Sequence, residues 1–127
     1  MKKIIVLVCL LTVTSPAYAK KASWYDSKSV CKEGTCCDKI CPTASGIDIN
    51  GLEARGEDFC AASHDYKMGA KLRVTNRANG KSVVCTVRDR GNFDKKYNRS
   101  VDLCHQSFAK IASPKLGVVD VDIEVVG

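Results

Sequence analysis

A hairpin in the middle of the chain limits the folds open to it. In "AKLRVTN", Leu72 and Val74 alternate with Lys71, Arg73 and Thr75, the period of two that turns one face of a strand toward a core. "NRANGKS" follows, and Asn79-Gly80 is a strong turn signal because both residues accept positive φ. "SVVCTV" then returns as the partner strand, rich in β-branched residues. Near the end of the chain "VVDVDIEVV" repeats the alternation. Val119, Val121, Ile123 and Val125 share one face, and Asp120, Asp122 and Glu124 the other. One helix is expected over 102–112, where Leu103, Ser107, Phe108 and Ile111 fall on one side and Ser100 or Asp102 can cap the start. The stretch 43–57 is rich in Gly and small polar residues and reads as loop. There is no internal repeat and no low-complexity tract.

The first nineteen residues are expected to be a signal peptide rather than part of the fold. Lys2 and Lys3 precede an apolar run from Ile4 to Val13, and "SPAYA" supplies small residues at Ala17 and Ala19 for cleavage after Ala19. The run is too short to span a bilayer comfortably. Residues 20–127 then form one small domain, periplasmic or secreted, with no membrane attachment after cleavage. Loss of Lys2 and Lys3 lowers the formal charge from +6 to +4. Such a charge suits an anionic envelope polymer and equally suits plain solubility.

Seven cysteines remain after cleavage: Cys31, Cys36, Cys37, Cys41, Cys60, Cys85 and Cys104. Export makes disulfides the default for them, with connectivity left open. Seven is odd, so one thiol stays free or pairs with another molecule; a monomer is expected, with a disulfide-linked dimer left open. The cluster "CKEGTCCDKIC" lacks clean CxxC pairs and a nearby His, so no metal site is expected. Nothing implies a cofactor. The positive charge is scattered rather than banded and there is no nucleic-acid motif, which argues against nucleic acid as a partner.

Five stretches occur in an informative order: "ASWYDS", "TASG" at Thr43, "AASH" at Ala61, "MGAKLRVTNRANGKSVVCTVRDRGNF" and "RSVDLCHQSFAKI". Together they resemble the double-psi β-barrel domain of the rare lipoprotein A family, over nearly all of 20–127 apart from a cysteine-rich insertion at 31–41. The resemblance implies an all-β fold: a six-stranded double-psi β-barrel with one or two short helices and a groove that holds a glycan. It also implies lytic transglycosylase chemistry on peptidoglycan glycan strands, cutting between N-acetylmuramic acid and N-acetylglucosamine. The alternative on the same barrel is a non-catalytic, wall-loosening glycan-binding module of the expansin kind. A third possibility is a disulfide-stapled secreted protein that binds another protein.

A lytic transglycosylase needs one carboxylic acid. It protonates the glycosidic oxygen and then, as a base, takes the proton of the muramic C6 hydroxyl, which closes on C1. Asp89 matches the "DRG" aspartate and is the candidate for this role. Strand alternation lets it face the groove while Arg88 and Arg90 point away. The competing assignment is a structural aspartate that caps a loop or pairs with arginine. His64 matches the histidine of the family's "AAH" motif and is expected to assist Asp89 or hold the sugar. A further family motif, a glutamate after "SG", has two alignments. In "TASGIDIN", Ile47 replaces the glutamate and Asn50 takes the second position; in "RGEDFC", Glu57 matches and Cys60 takes the second position. Spacing favours the first, leaving Glu57 and Asp58 to refill an acidic role. Glu57, Asp58, Arg90, Asn50 and Trp24 are therefore carried as candidate glycan contacts. Asp102 is expected to be structural, at the start of the helix, and His105 to be a surface residue. Cys60, Cys85 and Cys104 suggest extra disulfides stapling the barrel.

Overall fold

The computed structural model describes residues 20–30, 41–91 and 99–127. The expected signal peptide and Cys31, Cys36 and Cys37 lie outside the described residues. Six strands carry the fold: β1 (Lys20–Tyr25), β2 (Phe59–Ala62), β3 (Lys71–Asn76), β4 (Ser82–Arg90), β5 (Arg99–Cys104) and β6 (Val118–Val125). They close into a barrel in the order β1-β5-β2-β4-β3-β6. β1–β5 and β2–β4 pair in parallel, and the other four neighbouring pairs are antiparallel. This is the six-stranded barrel that the sequence led us to expect. The β3–β4 hairpin has Leu72 opposite Cys85 and Val74 opposite Val83. Its turn places Gly80 at a φ of 77°, a conformation glycine reaches without strain.

Period-two alternation builds two apolar layers. Ala22, Cys60, Ala62, Leu72, Val74, Val83, Cys85, Val87, Val101, Leu103 and Val121 form the barrel interior, and Phe108 and Ile111 plug it. The intervening residues Tyr25, Phe59, Ala61 and Cys104 face outward. They are covered by Cys41, Ile49 and Leu52 as a second cluster. Ile49 and Leu52 belong to α2 (Ile49–Ala54), which follows the short α1 (Ser27–Val30). α2 lies within a stretch expected to be loop. Its signal was Asp48, whose side chain accepts the Asn50 N–H as an N-cap.

The helix expected over 102–112 is shorter: α3 runs from His105 to Ile111, with Cys104 at its N-cap. Asp102 is thus not a helix cap. It lies in β5, between Val101 and Leu103, whose side chains fill the barrel interior and whose backbone pairs with β1. Burial of that alternating pair outweighs the local capping preference that favoured a helix. At its C-terminal end α3 is fastened by Asn76 and Asn79, whose side-chain amides both donate to the Ile111 carbonyl, at 2.8 and 3.0 Å.

Cys60 and Cys85 are joined by a disulfide, Cα to Cα 5.8 Å, between the neighbouring parallel strands β2 and β4. Cys41 is disulfide-bonded as well. Cys104, one of the expected staples, is a free thiol instead. It is buried at 1% exposure, 3.0 Å from the Ser107 hydroxyl. It points into the outer cluster beneath α2, away from Cys60 and Cys85 in the interior. Its burial also removes this thiol as a bridge to a second chain.

Candidate functional site

The site is a row of residues running across four strands. Ser23 on β1 aligns with Asp102 on β5, Asp102 with Ala61 on β2, and Ala61 with Asp89 on β4. Ala61 belongs to the outer cluster, so the row lies on the outside of the barrel. The pairing of β2 with β4 shifts register between Cys60 and Ala61, where Val87 is followed by an extra residue before Asp89. Such a bulge re-aims the side chains beyond it, and here it brings Asp89 level with Ala61. Only Ala61 separates the two aspartates across the sheet, and it is buried in the outer cluster. With strands about 4.8 Å apart, the two backbones are roughly 10 Å from each other.

Three donors hold the Asp89 carboxylate. Oδ1 accepts the Ala44 N–H and the Arg90 N–H, both at 2.9 Å. Oδ2 accepts the Tyr25 hydroxyl at 3.2 Å. Burial first, and the Asp89 charge second, raise the Tyr25 hydroxyl far above the ordinary tyrosine range, so it acts as a permanent donor. Ala44 belongs to "TASG", whose next residue, Ser45, donates its N–H to the Arg88 carbonyl at 2.9 Å. That loop therefore lies along the edge of Asp89. Asp102 accepts a hydrogen bond from the Ser23 hydroxyl.

His64 stands just past the end of β2, exposed, in a turn closed by the Tyr66 N–H on the Ser63 carbonyl at 3.1 Å. Because β2 and β4 run in parallel and Ala62 aligns with Arg90, the exits of both strands lie at the same end of the barrel. His64 and Asp89 therefore follow or occupy neighbouring strand ends, and no hydrogen bond joins them among the described residues.

The two arginines beside Asp89 are engaged elsewhere. Arg88 donates to Glu57 at 2.7 Å, and Arg90 Nη1 donates to the carbonyls of Ala62, Ser63 and Tyr66. Glu57 also accepts from Arg55 at 2.6 Å. Asp58 is bound by Lys110, Ser107 and Gln106. Asn50 is exposed on α2, folded back onto Asp48. Trp24 alternates with Tyr25 and packs toward the barrel interior. Its indole N–H donates to the Pro114 carbonyl at 3.0 Å and its ring meets His105 edge-on at 4.6 Å. The structure thus joins Tyr25, Ala44 and Asp89 by hydrogen bonds and sets Asp102 and Ser23 in the same row, while His64 lies in the exposed turn after β2. It does not bring Glu57, Asp58, Asn50 or Trp24 to Asp89.

Tyr25 is not among the candidate site residues read from the sequence. The alternation of "ASWY" carried the missing signal, since it puts Ser23 and Tyr25 on the face opposite Ala22 and Trp24. Ile47, the residue in place of the family glutamate, is half-buried against the outer cluster. Its carbonyl accepts both the N–H and the hydroxyl of Thr43. Among the described residues no group of three His, Cys, Asp or Glu side chains is arranged to hold a metal ion.

Glu57 and Asp58, which lie outside the row, have a thermodynamic signature. Burial works against ionisation of Glu57, but hydrogen bonds and charge from Arg88 and Arg55 outweigh it and lower its pKa. At Asp58, burial is likewise outweighed by Lys110, Ser107 and Gln106. A carboxylate depressed in the folded state contributes stability that is present above its unfolded value, about 4, and lost as pH falls through the folded value. The urea midpoint is therefore expected to hold between pH 7 and 5 and to fall below about pH 4. In Glu57→Gln/Asp58→Asn that fall should be shallower; an identical acid limb in both proteins contradicts the assignment.

A family model described as lytic transglycolase matches residues 17–123. The chain belongs to that family. An uncharacterized protein of Synechocystis is 46% identical over 74 residues, covering 58% of this chain and 76% of its own. The endolytic peptidoglycan transglycosylase RlpA of Rickettsia felis is 34% identical over 104 residues, covering 81% of this chain. The chain spans 40% of that relative's length. Among solved structures, the Streptomyces papain inhibitor superposes with a TM-score of 0.58 at 22% identity, over 87% of this chain and 94% of that one. An expansin of Clavibacter michiganensis gives 0.59 at 18% identity, over 85% and 49%. At these identities the structural likeness establishes the double-psi barrel fold alone. Among the described residues no helix is long and apolar enough to cross a membrane.

Proposed function

We propose that the protein is an exported peptidoglycan lytic transglycosylase, cleaving between N-acetylmuramic acid and N-acetylglucosamine and leaving a 1,6-anhydro end. The observation that carries this is the Asp89 carboxylate, held by Tyr25, Ala44 and Arg90 at the end of β4. It is supported by membership of the family and by the RlpA relatives. In the reaction Asp89 enters as the acid. Its proton passes to the glycosidic oxygen as the C1–O bond breaks, and the N-acetylglucosamine hydroxyl leaves. The Asp89 carboxylate then takes the proton of the muramic C6 hydroxyl as that oxygen bonds to C1. The acid is regenerated and no water is consumed. His64 assists at the same end of the row, by hydrogen bonding to the sugar or to the acid. A fixed carboxylate on a rigid strand keeps one group within reach of both oxygens in turn.

One observation favours the second function, a non-catalytic glycan-binding module. Ile47 stands where the family alignment places a glutamate, and its side chain packs into the outer cluster rather than supplying charge. Incubating the mature protein with peptide-free glycan strands separates the two. The transglycosylase yields fragments whose summed mass equals that of the substrate, with anhydro-muramic ends. A hydrolase adds the mass of water at each cut. Strand binding with no fragments would favour the module and sink the catalytic proposal.

A further inference from the structure

We propose that Arg90 is a positioning residue that sets the spacing between His64 and Asp89. The inference rests on the functional reading above for what that spacing serves, while the contacts themselves stand independently. Arg90 belongs to both halves of the site. Its backbone N–H donates to Asp89 Oδ1 at 2.9 Å. Its guanidinium Nη1 reaches three carbonyls of the segment that carries His64: Tyr66 at 2.7 Å, Ser63 at 2.8 Å and Ala62 at 3.4 Å. One residue thus contacts both the carboxylate and the turn that carries His64.

The rest of the loop is fastened farther along. The Gly69 N–H donates to the Val87 carbonyl and the Val87 N–H to the Ala70 carbonyl, which fixes the return to the barrel. The turn at 63–66 has its own internal bonds, from the Tyr66 N–H to the Ser63 carbonyl and from the Asp65 N–H to the Ser63 hydroxyl. The Tyr66 ring leans on the barrel core. Among the described hydrogen bonds, those tying this turn to another strand are the ones from Arg90. A guanidinium suits the task. It is charged at every working pH, and its planar N–H groups hold fixed directions toward several acceptors. A lysine ammonium in its place is a point charge on a flexible stem.

The test compares the mature protein with Arg90→Lys and Arg90→Gln on peptide-free glycan strands, with backbone amide exchange of residues 63–66 followed in parallel. Misplacing a group by an ångström can cost about 100-fold in rate. Arg90→Gln should therefore lower kcat by about that factor, and Arg90→Lys by less. KM should change by under about threefold, because no uniform substrate contact is removed. Exchange at 63–66 should rise about tenfold or more in Arg90→Gln, with that of the β3–β4 hairpin unchanged. A raised KM at constant kcat would make Arg90 a glycan contact and overturn the proposal. Unaltered exchange at 63–66 in both variants would overturn it too. If the wild-type protein releases no anhydro product, the cleavage reading fails on its own, and the exchange data still decide what Arg90 holds. Should Arg90→Gln not fold, Arg90→Lys supplies both readouts.

Discussion

Asp89→Asn will keep the barrel intact and reduce release of anhydro-muramic ends by roughly two to four orders of magnitude, the usual weight of a positioned acid–base group. The substitution is nearly isosteric, and its amide can reproduce the native contacts. The Asn oxygen can accept the Ala44 and Arg90 N–H groups that Asp89 Oδ1 accepts at 2.9 Å. The amide nitrogen can donate to the Tyr25 oxygen in place of the present bond at 3.2 Å. What the amide cannot do is pass a proton to a leaving oxygen and then take one from a hydroxyl. The expected result is near-native melting and near-native strand binding with product all but abolished. Product at more than about a tenth of the wild-type rate would move the acid elsewhere on the row, where Asp102 is the other carboxylate. Lost binding together with lost product would give Asp89 a role in holding the strand instead.

The parts of the molecule legible in the sequence were those whose pattern is local. The β3–β4 hairpin announces itself through alternation and Asn79-Gly80, and β6 through its apolar face. Asp89 and His64 stood out as candidates only through the resemblance, because the pairing of β2 with β4 is non-local. β2 is four residues long and buried throughout, so it offers no alternation from which to read that Ala61 sits between Asp89 and Asp102. Asp102 was misassigned for a related reason. "SVDLCHQSF" satisfies a helical and a strand periodicity over the same residues, and pairing with β1 and β2 decides between them. The arginines show the same limit. Alternation correctly indicated that Arg90 turns from Asp89, but that its guanidinium gathers three carbonyls of the neighbouring loop depends on where β2 ends.

Removing the Cys60–Cys85 link should be the most damaging change to stability. The bridge closes a loop of 25 residues, and constraining a loop of that length in the unfolded chain is worth about 3.5 kcal/mol in the chain-entropy account. Both cysteines are wholly buried in the barrel interior, so replacing them also withdraws packing from the core. Cys60→Ala/Cys85→Ala leaves two apolar side chains and no new thiol at either position, which makes it a cleaner probe than reduction, since reduction would also open the disulfide at Cys41. At roughly 4–8 °C per kcal/mol for a domain near this size, its melting temperature should fall by about 15 °C or more. The strand most exposed to this loss is β2, which is short and held to β4 in parallel over four register pairs. That strand also carries Ala61 between the two aspartates and leads directly into His64. The double variant should therefore lose glycan turnover at temperatures well below its own melting point, as the β2–β4 pairing loosens before the hairpin does. Thermal denaturation followed by circular dichroism, alongside turnover measured from about 15 °C upward, would reveal this. Parallel loss of activity and of fold would instead mean that β2 is held by its neighbours without the bridge.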